Sequence, residues 1–215
     1  MTLANALFTL EAAGLIRLAT AQPELEYLFR HALVQDAAYA SLVKADRRQL
    51  HQAIGEALER LYADRAASQE LAPLLARHFY EAGNDTRALK YFTLAGDAAA
   101  RVYANAEAVL HYARALEVAR RTPSPPPSRS SPMGEGVEVL QHLYSGRGKA
   151  LELSALYTEA LANYAEMLSA ARERADRAME FAALMARAAI YATPNPEQDP
   201  PQAQALLEQA LAFAH

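Results

Sequence analysis

Cysteine is absent from the 215 residues of the chain, and glycine is scarce, with 8 residues. The lack of cysteine excludes disulfide bonds and thiolate metal sites, and it is typical of the reducing cytoplasm. Long apolar runs are also missing, since no stretch approaches the roughly 18 residues that a membrane span needs. The first residues lack the basic and apolar regions of a signal peptide. We therefore expect a soluble, cytoplasmic protein without membrane contact.

Positive charge is not in excess either, because the formal net charge is −4. The composition thus gives no sign of affinity for nucleic acid. Hydrophobic residues make up 52% of the chain, and roughly a quarter of all residues are alanine, the strongest helix former. Most of the 11 prolines fall in two clusters outside the periodic segments. This composition predicts a mainly α-helical protein with a substantial core.

The first thirty residues predict a helix followed by a β-hairpin. Leucines recur at i, i+4 and i+7 over residues 2–13, and Gly14 stands where a glycine would end that helix. The apolar runs 15–19 and 25–29 flank a turn that contains Pro23. Two short apolar runs around such a turn are typical of an antiparallel hairpin.

Two further helices are predicted after the hairpin. One begins at about Arg30, and Asp46 with Gln49 forms a capping-box-like start for the next. A helix, a hairpin and a helix are the second half of a winged-helix domain, which we place at residues 1–62. We therefore expect the chain to be one edge of a larger protein. The predicted apolar faces are Leu33, Val34, Ala37, Ala38 and Leu42 in the first helix, and Leu50, Ile54, Leu58 and Leu61 in the second.

A ten-residue pattern occurs four times in the remainder of the chain. Each copy has alanine at its second position and a bulky residue at its sixth, and three copies have alanine at the ninth, where the remaining copy has methionine. A small residue followed by a large one on the same helix face allows close packing between neighbouring helices. The small and large pairs are Ala88/Phe92, Ala108/Tyr112, Ala160/Tyr164 and Ala203/Leu207.

These copies resemble the second helix of the tetratricopeptide repeat (TPR). The best full copy spans residues 144–168, where Gly148 and Leu151 match the small and large positions of a first helix. We expect an antiparallel TPR-like array, with degenerate helices at 68–121 and repeats at 137–215.

A proline- and serine-rich segment, residues 122–136, separates the two parts of the predicted array. It is too rich in proline for a helix and too poor in apolar groups to fold alone. It is either a flexible surface loop or, less favoured, a proline motif or a phosphorylation site at Ser124 or Ser128. Residues 193–201 predict a second loop.

The sequence contains no complete catalytic or metal-binding motif. Residues 144–150, YSGRGKA, imitate the end of a phosphate-binding loop, but Leu143 replaces the required glycine and Ala150 the required Ser or Thr. None of the six histidines has a second ligand at metal-binding spacing. We therefore expect no enzyme activity and no metal site in this chain.

DNA binding is not expected either, although the N-terminal part resembles a winged helix. The recognition helix would be residues 2–13, which contain no Lys or Arg and one Glu. A helix that contacts phosphates needs basic side chains. The apolar face of this helix instead predicts a contact that covers it, such as a homodimer.

Residues 3–62 resemble the winged-helix end of bacterial STAND-type signalling ATPases. The similarity is closest to the ATPase-plus-TPR proteins that accompany many adenylate/guanylate cyclase domains and some transcription activators. In that family a Met-His-Asp motif stands at the strand-to-helix junction, and its histidine reaches the β-phosphate of ADP. The matching residues here are Arg30, His31 and Ala32, so the histidine is kept and the acidic residue is lost.

The resemblance makes His31, with Arg30 beside it, the candidate for sensing nucleotide phosphate in the intact protein. An imidazole at a helix start beside a guanidinium also favours an anion on physical grounds. The alternative is a histidine that is satisfied by local backbone groups. The resemblance implies ADP or ATP in an upstream nucleotide-binding domain, and no cofactor in this chain, which has no phosphate-binding loop.

The resemblance also implies that the repeats form a concave surface for a protein or peptide partner. The inward-facing candidates are His142, Ser145, Lys149 and Glu152. The leading hypothesis is thus a non-catalytic regulatory segment that couples partner binding to a nucleotide-binding domain. The alternatives are a stand-alone TPR scaffold and, less favoured, a DNA-binding transcription regulator.

Overall fold

A computed structural model describes residues 2–20, 25–62, 70–121 and 135–212. Within these ranges the chain is mainly α-helical, with ten helices and one antiparallel pair of strands, which confirms the predicted fold class. No helix in the described ranges is long and apolar enough to cross a membrane. The elements are α1 Leu3–Ala12, β1 Ile16–Thr20, β2 Glu26–Phe29, α2 Ala32–Ser41, α3 Lys44–Leu61, α4 Ala72–Ala82, α5 Asp85–Arg101, α6 Asn105–Arg121, α7 Glu135–Leu153, α8 Tyr157–Glu173, α9 Arg177–Ala192 and α10 Pro200–Leu211.

The chain divides into two units, residues 1–50 and residues 51–215, and the division falls inside α3. In the first unit, the Thr2 side chain caps α1, and Gly14 follows it with a φ of +71°, as predicted for a terminating glycine. The predicted hairpin is confirmed, because Ile16 pairs with Phe29 and Leu18 with Tyr27 in antiparallel register.

The predicted start of α3 at Asp46 is wrong. The carbonyl of Val43 already accepts a 3.1 Å hydrogen bond from the Arg47 amide, so the helix begins at Lys44. Asp46 lies in the first turn instead, where its charge still favours the positive end of the helix.

The predicted apolar stripe of α3 is also not the face that packs. Leu50, Ile54 and Leu61 are exposed, and of the predicted stripe only Leu58 packs against the core. The buried position of α3 is Gly55, where a Cβ atom would lie 2.9 Å from the ring of Phe79. A glycine therefore admits an aromatic ring of the neighbouring helix α4.

The second unit is a helical repeat in which consecutive helices pack against each other from α4 to α10, although nothing is described between α6 and α7. The predicted alanines are its close-packing points, since Ala88, Ala108 and Ala160 are fully buried. Leu207 does not follow the predicted pattern. It is 39% exposed, and the adjacent Leu206, at 3%, packs in its place.

Three of the turns between helices share one geometry. In the turns 102–104, 154–156 and 174–176 the middle residue has a positive φ, at Tyr103, Ala155 and Ala175. The third residue of each turn donates a 2.9 Å hydrogen bond to the carbonyl five positions earlier. This is the Schellman ending of a helix, and it reverses the chain within three residues. The repeated structure of this unit therefore includes these three turns as well as the helices.

The two predicted proline loops are shorter than expected where the structure describes them. Residues 122–134, with Ser124 and Ser128, lie outside the described residues, whereas 135–136 begin α7. Residues 200–201 are likewise helical, because Asp199 caps α10 and prolines occupy its first two positions. Proline is well tolerated there, since the first amides of a helix have no intrahelical acceptor.

Candidate functional site

Arg30 and His31 connect β2 to α2, as predicted. The Arg30 amide donates a 3.0 Å hydrogen bond to the carbonyl of Leu15, which fixes the end of the hairpin. His31 has an extended backbone, with φ −135° and ψ 131°, and is the residue that precedes the first turn of α2. Both side chains are exposed. The structure thus places the predicted pair at a strand-to-helix junction and open to solvent.

The first turn of α2 begins without a side-chain cap. The His31 side chain makes no capping hydrogen bond, and no acidic residue lies in the first turn. The carbonyl of His31 accepts the amides of Val34 and Gln35, at 3.0 and 3.3 Å. The amides of Ala32 and Leu33 come earlier in the chain than these donors, so they have no acceptor within the helix. Such amides, with the helix dipole, favour an anion.

The four predicted repeat residues lie along α7 at steps of three and four residues, which places them on one stripe of the helix. Lys149 Nζ lies 3.5 Å from Glu152 Oε2, and Glu152 Oε1 accepts a 2.7 Å hydrogen bond from the hydroxyl of Tyr164. His142 and Lys149 are exposed, whereas Ser145 and Glu152 are half-buried. The stripe therefore presents charges of both signs.

His142 belongs to a polar network that the sequence does not reveal. Its Nε2 lies 2.7 Å from Asp97 Oδ1, and the same oxygen accepts a 2.8 Å hydrogen bond from the Tyr112 hydroxyl. These residues come from α7, α5 and α6. Burial, together with the bond to Asp97, raises the pKa of Tyr112, so its hydroxyl stays protonated and keeps donating. The network joins three helices at the N-terminal end of the predicted stripe on α7.

Two glycines allow Tyr112 to occupy this position. A Cβ atom on Gly96 would lie 2.7 Å from the ring, and one on Gly146 would lie 2.6 Å from it. The ring is therefore held between the backbones of α5 and α7. The sequence signal for this arrangement is the aromatic sixth position of the repeat pattern, but the choice of glycines and of Asp97 depends on how the helices pack.

A second cluster, which the sequence pattern does not indicate, is a pair of histidines in α3 and α4. His51 Nδ1 and His78 Nδ1 lie 3.0 Å apart, and the two rings are inclined at 45°. Burial lowers the pKa of both groups below 6.5, and Arg77 adds to the effect in each case. No group of three His, Cys, Asp or Glu side chains suited to a metal occurs in the described ranges.

Comparison with family models, with curated proteins and with solved structures gives no match to this chain.

Proposed function

We propose that this chain is a non-catalytic regulatory segment of a STAND-type signalling ATPase or cyclase regulator. In this proposal residues 1–62 are the end of a winged-helix domain that docks on a nucleotide-binding domain. The helices from α4 onward are a TPR-like array that binds a protein or peptide. Partner binding on the array is coupled through α3 to the nucleotide site.

The proposal is supported mainly by the small number of buried residues in the first unit. Among its described residues only Ile16 is buried, at 4% exposure. Phe8 and Leu33 are 74% and 81% exposed, and neither α1 nor α2 has a buried residue. A two-stranded hairpin with two helices is marginal without a covered apolar face. These faces are what a domain interface would cover.

His31 supports the nucleotide part of the proposal. It stands beside uncapped helix amides and next to Arg30, which suits a phosphate. Ala32 follows it in place of the acidic residue of the family motif, so phosphate binding at this junction depends on the imidazole and the amides. ADP is the ligand that the resemblance suggests, held mainly by the upstream domain.

The decisive experiment uses the intact parent protein. The reading frame upstream of Met1 should encode a GxxxxGK[ST] sequence. In the purified parent, His31→Ala should speed release of fluorescent ADP by about 10- to 150-fold, because a charge-assisted hydrogen bond contributes roughly 1.5–3 kcal/mol. His142→Ala, which changes an exposed histidine of the repeat unit, is the matched control and should leave the release rate unchanged when no partner is bound.

An upstream stop codon, or equal release rates for His31→Ala and the wild type, would reject the nucleotide role. The second candidate, a stand-alone scaffold, is favoured by the burial in residues 51–215, which hold nearly all of the core in the described ranges. Partner binding that is abolished by Lys149→Glu and unaffected by loss of residues 1–50 would support that candidate.

A further inference from the structure

His51 and His78 bring two imidazole nitrogens together between α3 and α4. Their Nδ1 atoms are 3.0 Å apart, although the residues are 27 positions apart in the chain. His78 is buried and His51 is half-buried. In the apo protein one nitrogen must donate its proton to the other, because two protonated nitrogens cannot share a hydrogen bond.

The same separation suits two ligands of one metal ion. At metal–nitrogen distances of about 2.0–2.1 Å, nitrogens at a right angle lie about 2.9 Å apart and at the tetrahedral angle about 3.3 Å apart. The observed 3.0 Å is closer to the right-angle value. Adjacent ligands at right angles are typical of tetragonal Cu²⁺ and Ni²⁺.

The charges around the pair are of both signs. Burial favours the neutral imidazoles that a metal requires, by lowering the pKa of both histidines. Arg77 adds positive charge near both rings, and Glu81 adds negative charge near His51. At His51 the effect of Glu81 is larger than that of Arg77.

We propose that His51 and His78 form a two-histidine site for a divalent transition metal ion, Cu²⁺ or Ni²⁺, completed by water. The ion replaces the proton that the two Nδ1 atoms share and joins α3 to α4. The site is independent of the proposed nucleotide role, because it lies within residues 51–215.

The test titrates the tag-free 215-residue chain with NiCl₂ and, separately, CuCl₂ near neutral pH. We expect saturable binding of one ion per chain in isothermal titration, and a rise in Tm that EDTA reverses. The variants His51→Asn and His78→Asn should each weaken binding at least about tenfold, since even loss of a residue that only supports a ligand costs about 10–100-fold. His142→Asn is the matched control and should bind as the wild type does.

Two results would overturn the proposal. One is wild-type protein that shows no saturable binding of either ion. The other is a His51→Asn variant that binds as tightly as the wild type, because the ion would then be held elsewhere. Far-UV circular dichroism at the titration temperature confirms that each variant is folded. If His78→Asn does not fold, His51→Asn decides the outcome, because His51 is the more exposed of the two.

Discussion

The ring of Tyr164 occupies the space that a side chain at position 148 would need. A Cβ atom on Gly148 would lie 2.3 Å from Tyr164 Cζ, which is far inside van der Waals contact. The Tyr164 hydroxyl donates to Glu152 on the same helix as Gly148, so the ring has little freedom to move away. Helices α7 and α8 are therefore in contact because position 148 has no side chain.

Gly148→Ala should destabilise the repeat unit by about 1–3 kcal/mol, the usual cost of overpacking, although alanine favours an isolated helix. The measurement is the free energy of unfolding from urea denaturation. Tyr164→Leu is the partner variant for a double-mutant cycle, because it removes the ring that the new methyl group meets. The combined variant should lose less stability than the sum of the two single changes. Simple additivity would contradict the contact.

The turn residues offer a stabilising change. Ala155 and Ala175 have φ values of +57° and +53°, where a Cβ atom is unfavourable. A left-handed backbone costs a residue with a side chain roughly 1–2 kcal/mol, of which the greater flexibility of glycine cancels roughly 0.5–1 kcal/mol. Ala155→Gly should therefore raise the free energy of unfolding by about 0.5–1 kcal/mol.

The matched control for that change is Ala162→Gly, at an exposed position in the middle of α8. It should lower the free energy of unfolding by about 1 kcal/mol, the ordinary cost of glycine in a helix. The two substitutions are chemically identical, and opposite signs test the backbone geometry. If both destabilise by the same amount, position 155 is not left-handed.

Stability should fall as the pH drops below 6.5. Burial lowers the pKa of His51, His78 and His111 in the folded protein, from the ordinary value of 6.5. The unfolded chain therefore binds more protons below that pH, so the stability that the neutral histidines contribute is present above pH 6.5 and is lost as the pH falls. Urea unfolding midpoints across this range are the measurement. The groups that act on the His51–His78 pair are Arg77 and Glu81.

The double variant His51→Gln/His78→Gln is the comparison for the pH experiment. It should lose less stability than the wild type as the pH falls, because two of the three histidines with a lowered pKa are gone. His111 should account for part of what remains. An unchanged pH dependence in the double variant would show that the pair does not titrate differently in the folded and unfolded states.

Asn163 is a buried polar residue between α7 and α8, with 1% exposure. Its Nδ2 donates a 2.9 Å hydrogen bond to the Tyr144 carbonyl, and its Oδ1 has no hydrogen-bond partner among the described residues. Asn163→Asp replaces the donor by an oxygen and buries a carboxylate next to a carbonyl. We expect a loss of about 3–5 kcal/mol near neutral pH, against about 1–3 kcal/mol for Asn163→Ala.

The Asn163→Asp loss should become smaller in acid. The buried carboxyl would have a raised pKa and would be protonated readily in the folded state, which restores a donor. Chemical denaturation of both variants at neutral and acid pH measures this difference. Equal losses at both pH values for Asn163→Asp would show that the side chain reaches solvent.

Helix and hairpin positions were readable from the residue pattern, because they depend on local periodicity and on turn residues. Gly14, the runs that became β1 and β2, and the buried alanines at 88, 108 and 160 all lie where the pattern predicts. These features depend on neighbours within a few positions of the chain. The same local information placed His31 at the start of α2.

Tertiary packing decided which helix faces are covered and which distant polar groups meet. The predicted apolar stripe of α3 is not the face that packs, because the Phe79 ring needs a position without a Cβ atom and Gly55 provides it. The His51–His78 pair joins residues 27 positions apart, and His142 reaches Asp97 across 45 positions. A helical pattern shows which residues share a face. The partner of that face depends on side-chain volumes and hydrogen bonds of helices that are remote in sequence.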